Sequence, residues 1–343
     1  MKNKKLISLL LLFALIVLFC IFSVYKLLSG FNLKTGGEKI TLYIPEGSTY
    51  GQAMDTIKAH FTIPDPRAFN WIAEKKNYPA LVKPGRYIID ADMSYTGLIN
   101  LLRSGRQTPV NVTFNNIRTL NDLAGKIGRQ IDADSAQLIN FLTDPDNYLK
   151  DGFSRETVIS VFVPNTYELF WNTDAEGFYS RMLSEYNKFW NDDRVAKAKA
   201  INLTQIEVSI LASIIDDEVA KPDEKPKIAG VYLNRLKRGI PLQACPTIKF
   251  ALNDWTITRV LKAYLEVNSP YNTYKHYGFP PGPIGCATIE GIDAVLNTEK
   301  HDYLYFAAKA DFSGYHNFSR TLSEHNRYAA EYQRELNKRK IYR

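Results

Sequence analysis

The stretch "LASIIDDEVAKPDEKPKIAGVYLNRL", residues 211–236, sets three consecutive acids against an oily run. Leu211, Ile214 and Ile215 recur at helical spacing, and Thr204 with Glu207 three residues on forms a capping-box signature that starts the helix. At about 100° per residue, Glu218 falls within roughly 20° of Leu211 and between Ile214 and Ile215. Asp217 lies about 100° away from it and Asp216 nearly opposite. Asp216 is therefore expected in solvent, Asp217 at the margin, and Glu218 toward the apolar side. A carboxyl held against apolar surface has its charged form disfavoured and its pKa raised. Such a group keeps a proton near neutral pH and can deliver it to a leaving oxygen. The plainer alternative is a helix-end glutamate that bends out to water or pairs with an arginine, and on spacing alone it is the stronger of the two.

The same stretch continues into a second helix. Asp223 is placed to cap it, the helix is predicted to run to about Lys237, and Gly239 closes it. Ile228, Val231, Tyr232 and Leu236 form its apolar side, with Asn234 and Arg235 polar. Nearer the N-terminus, three segments share an order of alternating apolar residues, a Ser or Thr at a helix N-cap position, and apolar residues at helical spacing. They are "LYIPEGSTYGQAMDTI" (42–57), "RYIIDADMSYTGLINLL" (86–102) and "NVTFNNIRTLNDLAGKI" (111–127). Units of this kind resemble LysM-like modules, which bind cell-wall glycans; an ordinary α+β scaffold is the alternative. From Ala133 to about Asn202 the chain reads as mostly helical and aromatic-rich, interrupted by "VFVPNTYELFW" (161–171), a strand or loop packed on the core. The aromatic cluster reads as core, with sugar stacking as the alternative.

The N-terminal run "LISLLLLFALIVLFCIFSV" (6–24) is free of charge and about one bilayer long. Lys2, Lys4 and Lys5 precede it, which predicts a cytoplasmic N-terminus. A cleaved signal peptide would have a shorter apolar core and a small-x-small cleavage site, and neither occurs before Lys26. An uncleaved anchor follows, with everything after Gly30 outside the cytoplasm. The rest is globular in composition, 45% hydrophobic and 23% charged, enough for two or three modules. A net charge of +7 without a long basic run suits work near anionic envelope material, where no nucleic acid is at hand. Outside the apolar run only Cys245 and Cys286 remain, with no CxxC and no zinc-type spacing. A mechanism without metal or cofactor is the default.

Ordered motifs follow the two helices. They are "NRL" (234–236), "LQ" and "PT" within 242–247, "YNTY" (271–274), "GFPPGPI" (278–284), "YLYF" (303–306) and "HNFSRTLSEHN" (316–326). With the helix ending in Glu218, they make the sequence resemble the YceG-like family of endolytic murein transglycosylases over about 120 residues. The resemblance implies an inner-membrane enzyme that cuts nascent peptidoglycan strands between N-acetylmuramic acid and N-acetylglucosamine. It leaves 1,6-anhydro ends and so terminates elongation. It also implies that Glu218 is the catalytic acid and base. One carboxyl first protonates the glycosidic oxygen, then takes the proton of the muramoyl 6-hydroxyl as that attacks the anomeric carbon. Ordinary glycosidases use two carboxylates instead. Asn234, Gln243, Tyr271, Asn272 and Tyr274 are candidate linings of a glycan groove, with loop-holding hydrogen bonds as the alternative. His316 either orients substrate or is structural, and Arg235 is expected to pair with a nearby acid. "FPPGPIG" is expected to fix a rigid extended loop, since Pro lacks a donor and Gly permits positive φ.

The chain departs from the family at Cys245, where an acid usually precedes "PT", and at Asn165, where an Asp is usual. The first departure removes any second-carboxylate role at 245, and pairing of Cys245 with Cys286 in a disulfide is an expectation. The second is expected to affect packing. The assembled reading is an α+β protein with an N-terminal transmembrane helix, LysM-like α+β modules and a mixed helical/β catalytic domain. Its parts are a cytoplasmic tail (1–5), an anchor (6–28), a LysM-like region (29–130), a helical connector (131–200) and the catalytic domain (201–343). Cell-wall synthases are candidate partners. A water-using muramidase and a non-catalytic glycan-binding anchor are the competing functions.

Overall fold

Each of the three Ser/Thr positions read from the sequence starts a helix behind a short strand. The computed structural model describes residues 2–29, 33, 37–91 and 93–339. The chain begins with α1 (Lys2–Ser29) and then enters β1 (Ile40–Ile44), which buries Leu42 and Ile44 and turns Tyr43 outward. Thr49 caps α2 (Tyr50–His60) in a reciprocal box with Gln52, and Asp65 caps α3 (Pro66–Lys75), where Pro occupies a first-turn position that needs no donor. β2 (Gly85–Ile89) then pairs antiparallel with β1, Leu42 opposite Tyr87, and α4 (Tyr95–Ser104) starts on Ser94 and ends on Gly105 at φ 70°. β3 (Val110–Phe114) and α5 (Leu120–Ile127), capped by Thr119 and Asp122, complete the third step.

Two compact units result. The first comprises Met1–Val112 with Gln130–Ala133 and Glu168–Thr173; the second comprises Thr113–Arg129, Asp134–Tyr167 and Asp174–Arg343. The core of the first packs Leu42, Ile44, Tyr87 and Ile89 of the strands against Ile57, Phe69, Ile72 and Leu98 of the helices. Within α1 the apolar segment Leu10–Phe22 is exposed throughout, and among the described residues no single helix is long and apolar enough to cross a membrane. A bent pair of helices in the second unit, Asp192–Ala200 with Gln205–Glu218, passes a length and composition test jointly, but Val208 to Ile215 of the latter are all buried in the protein core.

The second unit continues through α6 (Ser135–Thr143), α7 (Pro145–Tyr148), the first residues of β4 (Asn165–Leu169), α8 (Ala175–Phe189) and α9 (Asp192–Ala200). Its aromatic residues are core, as read: Phe162 stacks on Phe178 at 5.8 Å, Phe153 meets Tyr186 edge-on, and all four are buried. Asn165 is exposed and its Oδ1 accepts from the Thr166 amide, so its effect is on a strand end and not on packing.

α10 (Gln205–Glu218) starts on the Thr204–Glu207 box and is the buried centre of this unit. Val208, Leu211, Ile214 and Ile215 are wholly inaccessible, each stabilising by about 1.5–3 kcal/mol. α11 (Lys225–Lys237) and α12 (Cys245–Leu252) pack on it, followed by α13 (Ile289–Leu296), a hairpin of β5 (Tyr305–Ala308) with β6 (His316–Ser319), and α14 (Leu322–Lys338) over the hairpin. Asp223 does not cap α11. A 3-10 turn at Pro222–Glu224 leads into the helix, and the carboxylate of Glu224 instead accepts from His316.

Asp216 is the larger correction. It is not in solvent: its carboxylate pairs with Lys225 at 2.8 Å and accepts from the amide and hydroxyl of Thr288, the N-cap of α13. The angle around α10 was right, but α13 packs on that side, so near that a Cβ at Gly291 would lie 2.5 Å from the Asp216 carboxylate. The loop "FPPGPIG" is tightly seated for a similar reason. A side chain at Gly285 would meet the Ile117 carbonyl, so closeness of backbone, not positive φ, demands glycine there. Removing Asp216 takes two hydrogen bonds from Thr288 and one of the two carboxylates on Lys225, the other being Glu290 at 2.6 Å. Asp216→Ala is accordingly expected to cost about 2 kcal/mol, read as a lowered thermal midpoint, and an unchanged midpoint would contradict the assignment.

Candidate active site

Glu218 is the last residue of α10, and Val219 leaves the helix in extended conformation, so the side chain stands where the helix ladder stops. α11 runs alongside and brings Tyr232, whose hydroxyl donates to Glu218 Oε1 at 2.9 Å. α12 closes the third side: Cys245 opens that helix, and its backbone N–H donates to the same carboxyl. A cavity of about 310 Å³ lies over these groups, its wall carrying Glu218, Tyr232, Arg235, Gln243, Cys245 and Tyr274, with Tyr305, Leu322 and His325 opposite. Among the described residues Glu218 is the wall's sole carboxylate.

Glu218 is only part-exposed, yet protein crowds its carboxyl. Burial pushes the group up to about 7, against the opposing pull of the Tyr232 hydroxyl; Asp217 pushes further up, while Lys249 and the Cys245 amide pull down. Burial raises Tyr232 well above the usual phenol range, and Glu218 adds to it, so Tyr232 remains a donor. Burial and Glu218 also raise the Cys245 thiol, which lies 3.3 Å from the Tyr274 hydroxyl. The site thus holds one proton-carrying acid among hydrogen-bonding groups that are neutral apart from the Arg235 guanidinium.

The other predicted residues divide. Gln243 and Tyr274 share the cavity with Glu218. Gln243 sits at φ 52°, and its Oε1 accepts from Arg235, leaving its amide NH₂ as the free end. Asn272 is wholly buried; its amide donates to the carbonyls of Leu265 and Val267, so it holds a loop and lines nothing. Tyr271 packs on Phe250 at 4.5 Å, outside the cavity wall. Asn234 lies on the opposite face of α11, in the wall of a larger cavity of about 980 Å³, with its amide on the carbonyls of His301 and Tyr303. That larger cavity lacks Glu218 and its partners. His316 is tied to Glu224 at 2.8 Å and is also away from the wall. Arg235 pairs with no acid among the described residues; it donates to the carbonyls of Pro241 and Leu304 and to Gln243.

The two cysteines do not form a disulfide. Cys245 faces Tyr274 in the Glu218 cavity, whereas Cys286 is buried with its Sγ toward the Ile159 carbonyl. Cys245 opens α12 and Cys286 lies on the loop before α13, and the two are directed to different neighbours. Tyr232 and Cys245 escaped the sequence reading as functional groups, the first because it completes an apolar stripe and the second because its contribution is a backbone N–H. His325 was visible only as part of "HN".

A lone carboxylic acid with a raised pKa, set in a polar, aromatic cavity, defines an acid–base site of the glycan-cleaving type. The sequence pattern of the YceG-like family matches residues 42–331, and the chain belongs to that family. An endolytic murein transglycosylase of Bacillus subtilis (strain 168) is 29% identical over 309 residues, covering 85% of this chain and 84% of its own. One of Streptococcus pneumoniae serotype 2 (strain D39) is 28% identical, covering 85% of this chain, which in turn spans 58% of that protein. A crystal structure of a YceG-like protein from Listeria monocytogenes is similar with a TM-score of 0.56 at 27% identity, over 85% of this chain and 99% of that one.

A carboxyl whose pKa is raised on folding stabilises the protein fully below its unfolded value and loses that contribution as pH rises through the folded one. For Glu218 the window runs from its ordinary value of 4.5 to about 7. Glu218→Gln has no such loss, so its thermal midpoint should overtake the wild type's across that interval and keep its lead at pH 8. Parallel pH–stability curves would show that Glu218 is not desolvated.

Proposed function

We propose that this chain is a lytic endotransglycosylase that cleaves peptidoglycan strands between N-acetylmuramic acid and N-acetylglucosamine, with Glu218 as its one acid and base. The observation that carries the reading is the cavity itself, in which a single carboxylic acid, protonated near neutral pH, has no carboxylate partner. Hydrolytic glycosidases divide the work between two such groups. With one, the proton given to the departing glycosidic oxygen has to be recovered from the group that replaces it. The muramoyl 6-hydroxyl serves: the bond from C1 to the glycosidic oxygen breaks as the proton leaves Glu218. O6 then bonds to C1, and its proton passes to the Glu218 carboxylate. The product is a 1,6-anhydro ring, and the acid is restored.

The neighbours suit both halves of that cycle. Tyr232 and the Cys245 amide donate to the carboxylate form once the proton has gone. Gln243, oriented by Arg235, offers its NH₂ to the sugar, and Tyr274 offers an aromatic edge; both are assigned to glycan binding. Asn234, Tyr271, Asn272 and His316 are assigned to holding the surrounding loops.

The same reading anchors the protein in the inner membrane. The uncharged run Leu6–Val24 behind three lysines supports a single span with the N-terminus in the cytoplasm and the site outside. Wall synthases, which make strands at that surface, are the partner class this entails. The two helices α2 and α3 between antiparallel β1 and β2 support a LysM-like role for the front of the chain.

Digestion of peptidoglycan by the full chain in detergent, read by mass spectrometry, tests the reaction. Anhydro ends are expected, lighter by one water than reducing ends. Reducing ends would make the enzyme a muramidase, and full activity in Glu218→Gln would remove Glu218 from the chemistry. Tyr232→Phe deletes a donor that lowers the Glu218 pKa. Its pH–rate profile should therefore keep activity to higher pH than the wild type, whose alkaline limb is expected near 7. A downward shift would refute the role given to Tyr232.

A further inference from the structure

α14 presents two residues to the catalytic cavity that the mechanism above does not use. Leu322 and His325, one helical turn apart, both stand in its wall. Leu322 is 55% exposed, an apolar side chain left open beside a polar site. The His325 ring stacks on Tyr305 at 5.4 Å and 28°, which fixes its plane. Its Nδ1 is sealed from solvent and has no hydrogen-bond partner among the described residues, leaving Nε2 as the atom the ring can offer. Protonation would bury an N–H⁺ without an acceptor and near Arg235; burial, and then Arg235, hold the imidazole pKa below its usual value. The ring is neutral, able to give or take one hydrogen bond according to tautomer.

We propose that Leu322 and His325 form a subsite for the acetamido group of an N-acetylhexosamine. An acetamido group joins a methyl to an amide that both donates and accepts. Its methyl would lie on Leu322 and its amide would bond the His325 ring. A hydroxyl at the same sugar carbon could satisfy the ring but would leave Leu322 bare to water. The inference rests on the glycan-cleaving reading of the cavity and adds to it the means by which the enzyme tells an amino sugar from a plain one.

Calorimetric titration of the full chain in detergent with chitotetraose and with cellotetraose isolates the C2 substituent, since the two differ in acetamido against hydroxyl and neither carries a muramoyl unit. The wild type is expected to prefer chitotetraose by about tenfold or more, the size of one buried hydrogen bond with its methyl contact. His325→Phe keeps the stack on Tyr305 without the hydrogen bond, and Leu322→Asn removes the methyl platform. Each should shrink the preference several-fold by weakening chitotetraose binding while leaving cellotetraose binding as it was. His325→Gln, which can still donate and accept, should retain most of it. Equal binding of the two sugars by the wild type, or an undiminished preference in both His325→Phe and Leu322→Asn, overturns the proposal. End-group analysis of digested peptidoglycan reports on the cleavage reaction separately, so failure of the subsite and failure of the transglycosylase reading give different results.

Discussion

Arg235 is buried to 5% exposure without a counter-ion among the described residues, and its guanidinium is satisfied in another way that ties the cavity walls together. A buried cation is costly unless its donors are used. Here the planar fork spends them on the carbonyl of Pro241 at 2.9 Å, the carbonyl of Leu304 at 3.0 Å and the side-chain oxygen of Gln243. Those acceptors lie on the loop before α12 and on the entry to β5, while Arg235 itself is on α11. Three segments distant in sequence are thereby held at fixed separation, and they are the walls around Glu218. Lysine has one point charge on a flexible stem and no fork to reproduce this geometry. Because no carboxylate neutralises Arg235, its charge also bears on the cavity, disfavouring a second cation at His325.

The three acids at the end of α10 show how neighbours decide what identical chemistry does. Asp216 meets Lys225 and the N-cap of α13 and becomes a joint of the fold. Asp217 is exposed and pairs with Arg118, whose guanidinium lies 3.4 Å over the Trp255 ring. A surface pair of that kind contributes little to stability, though it keeps Asp217 turned from the cavity. Glu218 receives only neutral donors. Burial with neutral donors is what leaves the proton of Glu218 exchangeable near neutral pH.

Local rules carried much of the fold. The caps at Thr49, Ser94, Thr119 and Thr204 were legible because an N-cap needs only a side-chain oxygen within three residues of the amide it serves. The direction of Glu218 was legible because it follows from helical periodicity. The fate of Asp216 was not, since it depends on α13, more than seventy residues later in the chain. The same holds for Arg235, expected to find an acid and found among carbonyls, and for Asn272, read as either lining a groove or holding a loop, whose amide is wholly consumed by its own loop. Residue type announces which bonds a side chain can make. It does not say which partners will be nearest, and in this site most of the partners come from loops whose paths no short-range pattern fixes.

A transglycosylase with one carboxyl makes a demand that a two-carboxylate hydrolase does not. The same group must be an acid when the glycosidic bond breaks and a base immediately afterwards. If burial acted alone, the carboxyl would hold its proton so firmly that the departing oxygen could not take it. If hydrogen bonds to the anion acted alone, the group would already be ionised at neutral pH. Burial of Glu218, with the charge of Asp217, is opposed by the Tyr232 hydroxyl, Lys249 and the Cys245 amide, and the balance falls at about 7, where both forms are accessible. Placing an acid at position 245 would upset that balance. A second negative charge beside Glu218 would raise its pKa again, favouring the acid form and slowing recovery of the proton from O6. The neutral thiol found there, bonded to Tyr274 and not to Glu218, leaves the cavity with one carboxyl group and so lets the backbone amide of the same residue support the anion.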